Sequence, residues 1–212
     1  MPYLLSRLLL AATLWLGMAG PGAWAAAPPP STPPADVLLL DDGAQPLSLQ
    51  QDLPMWLESG TQASIDTVAQ TPLVFSATSP KILYALAADS TLWIRLRLLR
   101  PAGSTDPWLL NIPTPYLDSV TLYQRQTNDR WLIQTAGDNL PQAQWHRRGL
   151  YPEFALDLPP GVPQDIFLQV RNFKPVSFPL RLATAPARET QRLLENCALG
   201  LALGMLLTMV TL

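Results

Sequence analysis

The chain has 212 residues, 48% of them hydrophobic and 14% charged; a soluble domain carries about 25% charged residues, so part of this sequence is not ordinary aqueous surface. Its 14 Lys and Arg against 16 Asp and Glu leave a net charge of −2, which offers no basic field for nucleic acid. One Cys and one His exclude an internal disulfide and the usual zinc sites, and 23 Pro argue against a helical bundle.

Residues 1–25 have the order of a secretory signal peptide. Arg7 is the positive start, residues 8–16 are apolar, and Ala23 and Ala25 are small residues at the −3 and −1 positions of a cleavage site. An uncleaved anchor is the alternative, but the apolar run is short for a bilayer. Residues 26–35 are a proline-rich linker containing the stretch APPPSTPP, extended and without core-forming side chains.

Residues 36–186 form the exported domain, long enough for one core. Its first part is the least regular: residues 37–40 and 72–75 suit strands, and residues 53–58 suit a short turn of helix. From residue 91 apolar residues alternate with period two. Leu92, Ile94, Leu96 and Leu98 share one face and Trp93, Arg95 and Arg97 the other. The pattern repeats at Trp108, Leu110 and Ile112; at Val120 and Leu122; at Trp131 and Ile133; at Phe154, Leu156 and Leu158; at Ile166, Leu168 and Val170; and at Phe178, Leu180 and Leu182. Turn residues separate these runs, Thr127-Asn128-Asp129 and Pro159-Pro160-Gly161 most clearly. Such spacing predicts an all-β sandwich or barrel. Pro179 cannot donate to a ladder, which predicts an edge or bulged strand there.

Residues 187–196 read as a juxtamembrane helix, with Pro186 and Glu189 in its first turn. Residues 197–212 continue it as the start of a transmembrane helix. Residues 196–212 carry no charge and are apolar on every face, and Gly200 and Gly204 give a small-xxx-small face. Since the run is still apolar at Leu212 with no basic residue to fix its orientation, the chain reads as the N-terminal piece of a larger membrane protein; a single-pass anchor is the alternative.

Catalytic groups are scarce. His146 is the only His, and no serine lies in a nucleophile elbow. Gly-rich phosphate loops, calcium loops and dinucleotide fingerprints are absent from the sequence, so no catalytic residue, metal or cofactor is expected. The candidate ligand contacts are Trp145, Arg147, Arg148 and Tyr151 in the long connection 137–152. Adjacent arginines with flanking aromatics suit an anionic group or a sugar face; a solvated loop with its Trp tucked onto the core is the plainer alternative.

The order of the motifs carries a resemblance. Leu92-Trp93-Ile94-Arg95 opens a strand and Trp108-Leu109-Leu110 follows. Leu117-Asp118-Ser119-Val120-Thr121-Leu122-Tyr123 comes next, then Trp131, Gly137-Asp138, an arginine pair before Phe154, Ile166-Phe167-Leu168-Gln169-Val170, and an apolar helix. This succession resembles the type-2 extracellular domain of bacterial seven-transmembrane receptors with diverse intracellular signalling modules. The resemblance implies a jelly-roll-like β-sandwich, similar to carbohydrate-binding modules, held in the periplasm by an inner-membrane receptor. Any enzymatic output, such as a diguanylate cyclase or histidine kinase, would lie in a C-terminal part. The expected partners are a small molecule, carbohydrate among the classes, or a periplasmic protein, together with the membrane and a second receptor copy. A membrane-anchored carbohydrate-binding or adhesion module without signalling is the competing function.

Overall fold

A computed structural model describes residues 36–43, 46–60, 63–71, 74–80, 82–86 and 89–211. The expected signal peptide and the whole of the linker lie outside the described residues. The strands are β1 Leu38–Leu39, β2 Leu47–Leu49, β3 Leu53–Ser59, β4 Ser76–Thr78, β5 Ser90–Leu99, β6 Trp108–Asn111, β7 Ser119–Arg125, β8 Trp131–Ala136, β9 Glu153–Leu156, β10 Gln164–Arg171 and β11 Leu180–Thr184. The helices are α1 Ile65–Gln70 and α2 Ala185–Thr211.

Seven strands make a large sheet in the order β4-β3-β5-β10-β7-β8, with β1 also on β5, and four make a small sheet in the order β2-β11-β6-β9. Pairing is antiparallel except between β1 and β5. From β5 to β11 the chain passes repeatedly from one sheet to the other, so the fold is a jelly-roll-like all-β sandwich. Between the sheets lie Leu92, Ile94, Leu96 and Leu98 of β5, Ile166, Leu168 and Val170 of β10, and Trp108, Leu110, Phe154, Leu180 and Leu182 of the small sheet. Burying each such side chain contributes about 1.5–3 kcal/mol.

The alternation at β5, β7 and β10 is observed as expected, but three expectations are corrected. Residues 53–58 are strand, not helix: β3 pairs Met55 with Ile94 and Leu57 with Leu92, and the sheet decides the conformation of a short apolar run. In β8 the faces are reversed. Gln134 and Ala136 are buried while Ile133 is exposed, because Gln134 meets the other sheet. Pro179 precedes β11, which is internal between β2 and β6, so its missing N–H costs no ladder bond.

The outer face of the large sheet carries a second apolar layer. Trp93, Phe167 and Val68 are buried there with Trp56, Phe75, Tyr123 and Trp131 packed around them. Helix α1 covers this layer, its N-terminus capped by Ser64. Trp93 Nε1 donates to Glu58 Oε2 at 2.9 Å, and Trp131 Nε1 to Asp66 Oδ1 at 2.8 Å.

Register places the connections β6–β7, β8–β9 and β10–β11 at one end of the sandwich, beside the start of β5. Arg171 lies opposite Ser119, Val120 opposite Ala136, Val170 opposite Leu92, and Asn111 opposite both Glu153 and Arg181. Helix α2 begins at the other end, where Ala185 N donates to Pro107 O at 2.8 Å. It packs on β11 and β6 and reaches Glu153 with Arg188. The helix therefore descends the outer face of the small sheet and leaves past the loop end. It starts two residues earlier than expected, so Glu189 falls beyond its first turn, and it is unbroken over 27 residues, about 40 Å at 1.5 Å per residue.

Candidate functional site

The connection 137–152 is fastened at its start. Gly137 has φ +131°, and a Cβ there would meet Asp118 O at 2.6 Å, so only glycine fits this close approach. Asp138 N and Asn139 N donate to Leu117 O and Asp118 O at 2.7 and 2.9 Å. A 3-10 turn at Gln142–Gln144 then brings the chain to the four candidate residues.

Their fates differ. Trp145 is turned inward: it is 8% exposed, belongs to the main core, and donates from Nε1 to Leu140 O at 3.0 Å. Arg147 is committed to carboxylates, with Nε 2.8 Å from Glu153 Oε1 and Nη2 3.6 Å from Glu189 Oε1. Arg148 is exposed and Tyr151 half-buried, and both line a cleft of about 410 Å³ against α2. The structure thus brings Arg148 and Tyr151 together at a surface and places Trp145 and Arg147 behind it. His146 is exposed on the same connection.

Glu153 and Arg188 form the centre of this region, and neither stood out in the sequence. Glu153 is the first residue of β9, and its outward side chain is 10% exposed. Its Oε1 accepts from Arg147, and its Oε2 accepts from Arg188 Nε at 2.9 Å. Arg188 is 8% exposed and reaches Glu195 Oε2 with Nη1 at 3.3 Å, while Gln191 Nε2 donates to Glu195 Oε1 at 2.9 Å. A buried charge is tolerable only when paired and hydrogen-bonded, and here each has partners on more than one side. The result is a polar seam between β9, the 137–152 connection and the first turns of α2. The Glu153 and Arg188 positions read as an ordinary strand start and a solvated helix; only tertiary contact joins them.

A second hollow, about 280 Å³, lies beside the outer aromatic layer and is lined by Arg125, Trp131, Asp165 and Phe167. The Arg125 guanidinium sits 5.4 Å from the Trp131 ring centroid. Tyr123 in this layer donates to Gln169 Oε1 at 3.0 Å; burial pushes its phenol pKa up, with Arg171 opposing. Among the described residues no group of three or more His, Cys, Asp or Glu is placed to hold a metal ion.

Comparison with known proteins adds one strong match. A family model described as 7TMR-DISM extracellular 2 matches residues 50–184. No curated protein matches the chain. Among solved structures, an exo-β-1,3-galactanase from Phanerochaete chrysosporium with bound β-1,3-galactotriose is similar at 11% identity and a TM-score of 0.30, over 66% of this chain and 29% of that one.

Proposed function

The chain belongs to the 7TMR-DISM extracellular 2 family, a membrane protein with an extracellular sensor domain, and on that premise we propose that the sandwich passes ligand binding to the cytoplasm as a displacement of α2. The sandwich lies in the periplasm and α2 enters the inner membrane as the first membrane helix. Its ligand is a small molecule, with carbohydrate among the classes, or a periplasmic protein.

One observation carries this reading: β11 ends at Thr184 and α2 starts at Ala185 with no linker between them. The seam of Glu153 with Arg188 then clamps the helix to a neighbouring strand. A ligand shifts a receptor only by its differential affinity for two arrangements, and that difference reaches the bilayer only through a stiff connection. Residues 196–210 are helical, without charge, and Ala185–Val210 is long and apolar enough to cross a membrane. A helix continuous from strand to bilayer transmits a shift, tilt or rotation.

The test is insertion of three glycines between Glu195 and Asn196 in the full-length receptor. The seam above stays intact, while each glycine costs the helix about 1 kcal/mol relative to alanine and changes the phase of the faces below. Output should be lost with the melting of the sandwich unchanged. Wild-type output from the insertion variant would contradict transmission through α2 and favour docking of the sandwich on other extracellular surfaces of the receptor.

A further inference from the structure

The cleft between the 137–152 connection and α2 has a distinctive charge balance. The carboxylates beside it are already occupied: both Glu153 oxygens bind arginines, and the Glu195 oxygens bind Arg188 and Gln191. Arg148 makes no hydrogen bond or ion pair among the described residues, and Arg192 has only a long contact, Nη1 to Glu189 Oε1 at 3.9 Å. Two guanidinium groups thus face the cleft with donors to spare, and Tyr151 stands on the same wall.

Its apolar rim has a definite position. The lining continues down α2 to Ala198 and Leu199, inside the charge-free run that begins at residue 196. Leu150 also lines the cleft and is 62% exposed. Tyr116 and Phe173, on neighbouring connections at the same end of the sandwich, are 52% and 72% exposed. Large apolar side chains exposed together beside a membrane-entering helix lie at the height of the lipid headgroups. The cleft therefore presents arginines above an apolar floor where the bilayer begins.

We propose that this cleft holds the phosphate headgroup of an anionic phospholipid from the outer leaflet of the membrane that α2 enters. Arg148 and Arg192 bind the phosphate oxygens, using planar donors suited to such groups. Leu150 and Leu199 contact the first methylenes of the acyl chains. The assignment rests on α2 entering a membrane and names the ligand class of the Arg148 and Tyr151 surface. Lipid occupancy then fixes the height of the sandwich above the bilayer, and with it the resting position of α2.

Native mass spectrometry of the detergent-solubilised chain tests this, with phosphatidylglycerol and phosphatidylcholine added in parallel. Phosphatidylglycerol should be retained preferentially. Each arginine at an anionic surface contributes about fivefold in affinity, so Arg148→Gln with Arg192→Gln should weaken retention about 25-fold. Neither residue belongs to the Glu153 seam, and an unchanged melting curve shows that the fold is intact; the single variants, each with an intermediate loss, provide the same test should the double variant melt early. Equal retention of the two lipids would overturn the assignment, as would wild-type retention by folded variants. Release of phosphatidylglycerol by millimolar inorganic phosphate would make the cleft a site for free anions instead. Receptor output from the glycine insertion is a separate readout, so failure of lipid binding and failure of transmission are distinguishable.

Discussion

Glu153 on β9 accepts a hydrogen bond from Arg188 of α2 at 2.9 Å, with both side chains about nine-tenths buried. The two residues are 35 positions apart, and their pairing joins an edge strand of the small sheet to a helix that emerges from β11 two strands away. The helix foot is therefore held at two places, covalently by Thr184 and electrostatically by Glu153. A rod held at two places cannot pivot without breaking one of them.

Removing one partner should cost far more than removing both. Glu153→Leu leaves the Arg188 charge buried with only Glu195 opposite, and breaking such a pair costs about 3–5 kcal/mol. Adding Arg188→Leu should recover much of that loss, since an apolar pair of similar volume tolerates burial. Equilibrium unfolding in detergent measures both; a double variant less stable than Glu153→Leu would contradict the pairing.

Two glutamines close the open edge of the small sheet. Gln134 of β8 donates from Nε2 to Ala155 O at 2.7 Å and accepts from Ala155 N at 3.2 Å, as a neighbouring peptide group would. Gln124 of β7 repeats the arrangement on Asp157 N and O. Gln134→Leu should cost about 1–3 kcal/mol for each of the two orphaned backbone groups, despite placing an apolar residue in the core. A more stable Gln134→Leu variant by thermal melting would show that water or another side chain replaces the amide.

Trp93 and Trp108 are both fully buried, but only one uses its indole N–H. Trp93 Nε1 binds Glu58, whereas Trp108 Nε1 has no partner among the described residues. Phenylalanine removes similar volume at either site. Trp93→Phe should therefore be the costlier change by about 1–3 kcal/mol, the penalty for a buried acceptor that loses its donor. Equal losses in unfolding free energy would contradict this.

The sandwich was legible where one face of a strand is apolar and the other polar, as at β7 and β10. Periodicity misleads where polar residues face inward for a reason that lies in another strand. Gln134 points into the core to reach Ala155, which inverted the apparent phase of β8. At β3, Met55 serves the main core and Trp56 the outer aromatic layer, so no simple alternation survives. In the site, residues 145–151 stood out by composition, yet composition could not separate their roles. Leu140 draws Trp145 inward, and Glu153 and Glu189 engage Arg147. Those partners are set by the turn geometry and by the path of α2, which no local pattern in residues 185–195 records.

Amide hydrogen exchange tests most directly whether the helix foot and sandwich are one mechanical unit. Amides with low local stability exchange through small openings, while those of a cooperative unit exchange together. Amides of residues 189–195 should be protected as strongly as those of β11 and lose protection at the same denaturant concentration. In Glu153→Leu they should become labile first. Rapid exchange at residues 189–195 in the unaltered chain, with β11 still protected, would contradict a stiff foot.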